Sequence, residues 1–356
     1  MLNKDKFIRF LFSIFFVFCL VFFCASLVGT IHEKKIDVQF NAEQKKVKVL
    51  IVCSDDVADE GFNQLAWDGM SLLKEHNEYV DATYIDKKIY KEFDNIPNML
   101  DGYVKNEYNL IIGVGYEVAD AIRKSALKYK NVHFGIVDDA ANSDLSNVAC
   151  LMFSNFEMGY LAGSMAALMT KTNVIGYIQG NINDVMNDFG YGYLDGAKAT
   201  NNRIKVVAGS TNSFEDDKVA REIATDMIDN KSDVIFSAAG YAGNGSIEVC
   251  EERDKYAIGV DVDQKYLAPK NVVASVIKRV DNAIIDLVLN ELDGKFEGGV
   301  YYNSLSNSGI DIIINSRYLT NNISLLMQMK KNDILNGNII IKKEGLEFIY
   351  GGTSVE

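Results

Sequence analysis

The chain has 356 residues, 48% of them apolar and 24% charged, a composition that fits one large or two medium globular lobes and argues against disorder as the main state. Its formal charge is −13, and removing the leading Met1–Phe23 takes away three cations and one carboxylate to leave −15. A nucleic-acid partner is thereby excluded, because its capture rests on cations that neutralise phosphates. Cys53, Cys150 and Cys250 are widely spaced, and His32, His76 and His133 show neither HxxxH nor HExxH spacing. No disulfide framework, metal site or cofactor is expected from them. The cysteines read as small buried residues and the histidines as surface ones.

Lys4, Lys6 and Arg9 precede an apolar run from Phe10 to Val28 interrupted only by Ser13 and Ser26, the charged and apolar regions of an export signal. The run is also about long enough to cross a bilayer, which takes roughly 20 residues. Residues 1–30 are read as a signal peptide or membrane anchor and residues 31–46, polar and aperiodic, as a tether. Val21-Phe22-Phe23-Cys24 resembles the lipobox of bacterial lipoproteins, with Phe23 in place of the small residue expected before the cysteine. Lipidation at Cys24 and a retained helix are both open, and either places the folded part at the extracytoplasmic face of the cell membrane.

From Val47 onward short apolar strands alternate with amphipathic helices, the signature of parallel βαβ units. Strands are expected at 47–53, 80–85, 109–114 and 132–137, with helices at 62–75, 92–105 and 117–129. Residues 151–156 read as a crossing segment, after which the pattern restarts. A helix at 157–170, rich in Gly159, Ala162, Gly163, Ala166 and Ala167 for close packing, is followed by strands at 173–178, 204–208, 233–236 and 256–260 and helices at 187–200, 215–229 and 243–253. A strand at 272–276, a helix at 279–292, an extended piece at 298–303, a strand at 310–314 and a helix at 320–331 complete the body. The expected lobes are 47–152 plus about 279–303, and 153–278 plus about 310–335, with a tail at 336–356. Joined by more than one strand, such lobes would hinge.

The stretch IVCSDDVADEGFNQLAWDGM (51–70) ends a strand in Asp55 and Asp56 and opens a helix on Phe62 and Asn63. Ligands of open α/β sheets sit at the carboxyl ends of the strands, and carboxylates, an aromatic face and an amide suit a neutral, polar, planar molecule. Phe214 opens another helix after a strand; paired with Phe62 from the facing lobe it would sandwich a flat base, stacking being worth roughly 1–3 kcal/mol per base. The Gly-rich loop around Gly240 lets backbone approach a ligand but lacks the GKS or GKT ending of a phosphate cradle. Asp261 ends a strand where sugar hydroxyls are commonly held, and Lys278 follows the next strand. LIIGVGYEVA (110–119) resembles a dinucleotide fingerprint, which keeps an NAD-dependent oxidoreductase as a remote alternative. Against it, Val118 stands in for the third glycine and Glu117 puts negative charge where a pyrophosphate would approach. No catalytic constellation is present that the residues support, so the chain reads as a binding protein and not an enzyme.

DEGFNQLAWDGM (59–70), NFEMGYLAGSMAALMTKTNVIGYIQG (155–180), FGYGYLDGAKATN (189–201), IGVDVDQ (258–264) and SVIKRVD (275–281) closely resemble the basic membrane protein family of bacterial substrate-binding lipoproteins, in particular its purine-nucleoside-binding members, over about residues 47–315. The resemblance implies an α/β type I periplasmic-binding-protein fold, two parallel-sheet lobes joined by a multi-strand hinge, that delivers a nucleoside to the permease subunits of an ABC transporter. By position it also implies base contacts from Asp55 and Asn63, stacking by Phe62 and Phe214, an acidic residue at Asp138 and ribose contacts from Gly240, Asp261 and Lys278. The turn before Phe62 departs from the family pattern, so the register between Asp55 and Asp56 stays open. A tethered sensor of the same fold, presenting a small molecule to a signalling receptor, is the alternative.

Overall fold

The computed structural model describes residues 46–339, 342–346 and 348–350. The leading apolar run, Cys24 and most of the tether lie outside the described residues, among which no helix is long and apolar enough to cross a membrane. The first βαβ block contributes β1 (Val47–Cys53), α1 (Phe62–His76), β2 (Val80–Ile85), the short α2 (Lys87–Tyr90), α3 (Ile96–Lys105), β3 (Leu110–Val114), α4 (Ala119–Lys128), β4 (His133–Val137) and β5 (Val148–Phe153). The second contributes α5 (Asn155–Met169), β6 (Val174–Gln179), α6 (Asp184–Thr200), β7 (Lys205–Ser210), α7 (Asp217–Asp229), β8 (Val234–Ala238), α8 (Gly243–Glu252), β9 (Tyr256–Asp261) and β10 (Val272–Lys278). The chain then returns to the first lobe as α9 (Val280–Leu292) and β11 (Gly299–Asn303) and to the second as β12 (Ile310–Ile314), α10 (Asn321–Leu335) and β13 (Phe348–Tyr350).

Two α/β sheets result, in the orders β11-β5-β4-β3-β1-β2 and β12-β10-β9-β8-β6-β7-β13. All pairings are parallel except β10 with β12. Central strands such as VKVLIVC in β1 are apolar almost throughout because helices cover both faces. Three connections cross between the sheets: after β5, after β10 and between β11 and β12. One apolar core cluster runs from β1 through α5 to β6 and β10. α5 is buried on nearly every side, as a helix apolar all round should be. It lies so close to α6 that a Cβ on Gly159 or Gly163 would sit 2.0 Å from the carbonyl oxygen of Phe189 or Tyr193.

Three local details differ from the sequence expectations. Residues 151–153 are the end of β5, whose residues Val148–Leu151 pair with Phe134–Val137, so the crossing segment is confined to Ser154. The helix expected at 92–105 begins as a 3-10 turn and becomes α3 only at Ile96, with Pro97 in its first turn, where a missing N–H costs nothing. His133 is half-buried: it stacks on Phe296 with ring centroids 4.0 Å apart, and its Nδ1 lies 2.6 Å from Glu291 Oε2. The three described cysteines are free and buried.

Candidate functional site

Each sheet reverses its strand order beside its first strand, at β1/β3 and at β6/β8. Such switch points open a crevice at the carboxyl ends of the strands. Here the two crevices face one another across a single cavity of about 290 Å³. Its walls come from the segments after β1, β2, β3 and β4 on one side, and after β6, β7, β8 and β9 and the end of β10 on the other.

The β1 loop is organised by Asp59. Its Oδ1 accepts the N–H groups of Gly61 (2.9 Å) and Gln64 (3.0 Å), and its Oδ2 those of Asn63 (2.9 Å) together with Asn63 Nδ2 (2.9 Å). Three backbone N–H groups at the start of α1 and the Asn63 amide are thus satisfied, and Phe62, the first residue of α1, is presented to the cavity. Asn63 is buried, and its Oδ1 accepts from Ser54 N–H at 3.0 Å. What it can offer a ligand is its remaining amide N–H. Asp55 lines the cavity, whereas Asp56 does not: Asp56 pairs with Lys88 at the surface and accepts Ala58 N–H at 3.1 Å. Of the two aspartates, only Asp55 is part of the lining. Burial pushes the Asp55 carboxyl up, with Glu215 adding to the effect and Lys87 opposing it.

On the other wall Phe214 packs over Gly180, where a Cβ would lie 2.2 Å from the ring. Gly240 has φ +55, the left-handed region that favours glycine, and its backbone forms the cavity edge before α8. Asp138 and Asp261, at the ends of β4 and β9, also adopt left-handed φ of 61 and 65, which turns the strand ends sharply at the cavity wall. Burial pushes Asp261 up to about 6 although Lys278 pulls it down, and Asp138 and Asp59 add repulsion.

Lys278 is only 2% exposed. Its ammonium lies 2.6 Å from Asp138 Oδ2 and 5.2–5.4 Å from the ring centroids of Phe189, Phe62 and Phe153. Expected to serve sugar hydroxyls beside Asp261, it is also paired with a carboxylate of the opposite lobe. Asp138 Oδ1 remains buried without a partner. Eight of the nine sequence-derived binding residues, all but Asp56, therefore line one cavity.

Sequence reasoning missed part of the lining. Tyr116 and Glu117, from the loop weighed as a dinucleotide fingerprint, face the cavity, and so do Lys87, Asn181, Phe189 and Glu215. The available signal was position: the β3 loop stands beside β1 at a switch point. Burial pushes Glu117 up, and nearby Asp138 and Asp55 reinforce this, while hydrogen bonds from its own backbone and Tyr116 oppose it. Three further polar contacts cross the cleft: Lys87 with Glu215, Asn181 Nδ2 donating to Tyr116 Oη at 3.0 Å, and Tyr266 Oη donating to Glu60 Oε2 at 3.5 Å.

Residues 46–345 match the family model described as ABC transporter substrate-binding protein, PnrA-like. The chain is 33% identical over 314 residues to the ABC transporter nucleoside-binding protein BmpA of Lactococcus lactis subsp. cremoris, covering 82% of this chain and 88% of that one. It is 31% identical to basic membrane protein D of Borreliella burgdorferi, covering 86% and 90%. Among solved structures, an ABC transporter solute-binding protein from Aeropyrum pernix K1 superposes with a TM-score of 0.75 at 21% identity, over 84% of this chain and 94% of that one.

Proposed function

This chain belongs to the PnrA-like family of ABC transporter substrate-binding proteins, and from that premise we propose that it captures purine nucleosides outside the cytoplasm and delivers them to ABC permease subunits. It is a solute-binding protein and not an enzyme, which removes the oxidoreductase alternative. The observation that supports a nucleoside is the pairing of Phe62 from one lobe with Phe214 from the other in one cavity, with Asp55 in the first wall and Gly240 and Asp261 in the second. Two aromatic faces suit a flat base, the Asp55 carboxylate accepts base N–H groups, and Asp261 accepts vicinal sugar hydroxyls. Lys278 and Asp138 neutralise one another between the lobes and brace the sugar end.

Capture works by population shift. The lobes, residues 47–152 with about 279–303 and 153–278 with about 310–335, close over the ligand, and closure is favoured only by contacts stronger in the closed state than in the open one. The N-terminus tethers the protein to the membrane, through a lipid on Cys24 or a retained helix, and so holds it near its permease.

Calorimetry of the purified chain against adenosine, guanosine, inosine, cytidine, uridine and ribose tests this function. Heats with the purine nucleosides and none with ribose are expected. No heat with any nucleoside overturns it.

A further inference from the structure

We propose that Glu117 determines base specificity: together with Asp55 it forms an acceptor pair that selects purines carrying a ring N–H beside an exocyclic amine, the guanine pattern, over purines lacking the amine. The proposal rests on the nucleoside reading of the cavity. Its starting point is an imbalance of charge. Six carboxylates and two lysines line the cavity, and both lysines are already paired, Lys278 with Asp138 and Lys87 with Glu215. Asp59 is saturated by the start of α1, and Asp261 lies in the opposite wall. Asp55 and Glu117 remain, and neither forms an ion pair among the described residues.

These two acids are neighbours because β1 and β3 are paired, Cys53 opposite Val114. Gly115, at φ +100, turns the chain so that Glu117 reaches back towards the end of β1. A Cβ at Gly115 would lie 2.5 Å from Ser54 Oγ and 2.8 Å from Glu117 Oε2. The second lobe also acts here. Asn181 donates to the Tyr116 hydroxyl at 3.0 Å, and Tyr116 stands beside Glu117 in the cavity wall. Closure therefore positions Glu117 through Tyr116. Two adjacent desolvated carboxylates accept hydrogen bonds and repel carbonyl or ring-nitrogen acceptors, so they favour the base edge richest in donors.

The test is calorimetry of the full chain with guanosine and inosine, which differ only by the exocyclic amine. The wild type should bind guanosine at least about tenfold more tightly, the scale of one charge-assisted hydrogen bond. Glu117→Ala and Glu117→Gln should remove most of that preference, guanosine losing about tenfold and inosine less, with circular dichroism reporting that the variants fold. Tyr116→Phe should reduce the preference by less. Equal losses for both nucleosides, unchanged guanosine binding, or a wild type without the preference would overturn the role of Glu117. Nucleoside binding without the preference overturns this proposal alone, whereas absence of all nucleoside binding overturns the proposed function with it.

Discussion

Replacing Gly192 in α6 by alanine sets two effects of opposite sign against each other. On helix propensity alone the substitution stabilises by roughly 0.5–1 kcal/mol. At this position, however, the new Cβ would lie 2.0 Å from the carbonyl oxygen of Phe156 in α5, whereas ordinary contact begins at 3.4 Å. The obstacle is backbone, so no side-chain rotation relieves it and the helices must part by about 1.4 Å, the difference between those distances. Gly159, Gly163 and Gly196 make the same 2.0 Å approach to the partner helix, so local bending is resisted along the whole pair. Overpacking costs typically 1–3 kcal/mol; taking the upper end for a backbone obstacle and subtracting the propensity gain leaves a net loss of about 2 kcal/mol. Urea unfolding would read this as a lower midpoint with an unchanged slope. Gly102 in α3, where an added Cβ would meet nothing within 4 Å, is the control, and Gly102→Ala should stabilise. Because Phe189 of α6 lines the cavity, Gly192→Ala should weaken ligand binding as well. A Gly192→Ala protein as stable as the wild type would refute the close-packing account.

Asp261→Asn should gain stability and lose affinity together. Its folded-state carboxyl is raised from 3.8 to about 6, so the folded protein holds that proton more tightly than the unfolded chain does. Stability on this account is greatest below the unfolded value and declines as pH rises towards 6, by roughly 3 kcal/mol at 1.36 kcal/mol per unit. The asparagine variant should recover that amount at pH 7, with the gain vanishing near pH 4, while nucleoside affinity falls by about 1–3 kcal/mol for the lost hydrogen bond; urea titrations across pH and calorimetry check both halves. Gly180→Ala should drive the Phe214 ring from its seat and weaken every nucleoside alike in calorimetry, base identity making no difference. Lys87→Gln breaks an ion pair whose side chains are 42% and 53% exposed, so thermal stability should change by less than about 1 kcal/mol. Because the pair spans the cleft, stopped-flow release should nevertheless be faster, and the wild-type rate should approach it as salt is raised.

The order of strands and helices, and the placing of candidate ligand groups at strand ends, were legible in the sequence because both follow from local pattern. Apolar runs without alternation mark strands covered on both faces, and parallel sheets put their crevice at the carboxyl ends, where Asp55, Asp138 and Asp261 stand. The small residues of α5 announced a close helix contact for the same reason. Tertiary structure alone decided which of two adjacent aspartates enters the cavity, because a turn can aim Asp55 inward and leave Asp56 at the surface with Lys88. It also decided the partner of Lys278, since Asp138 lies 140 residues away in the facing lobe, and brought Glu117 beside Asp55 through the pairing of β1 with β3. Periodicity reports the environment of a single segment; which side chains meet across a cleft depends on sheet order and lobe closure, and these arise only when distant segments pack.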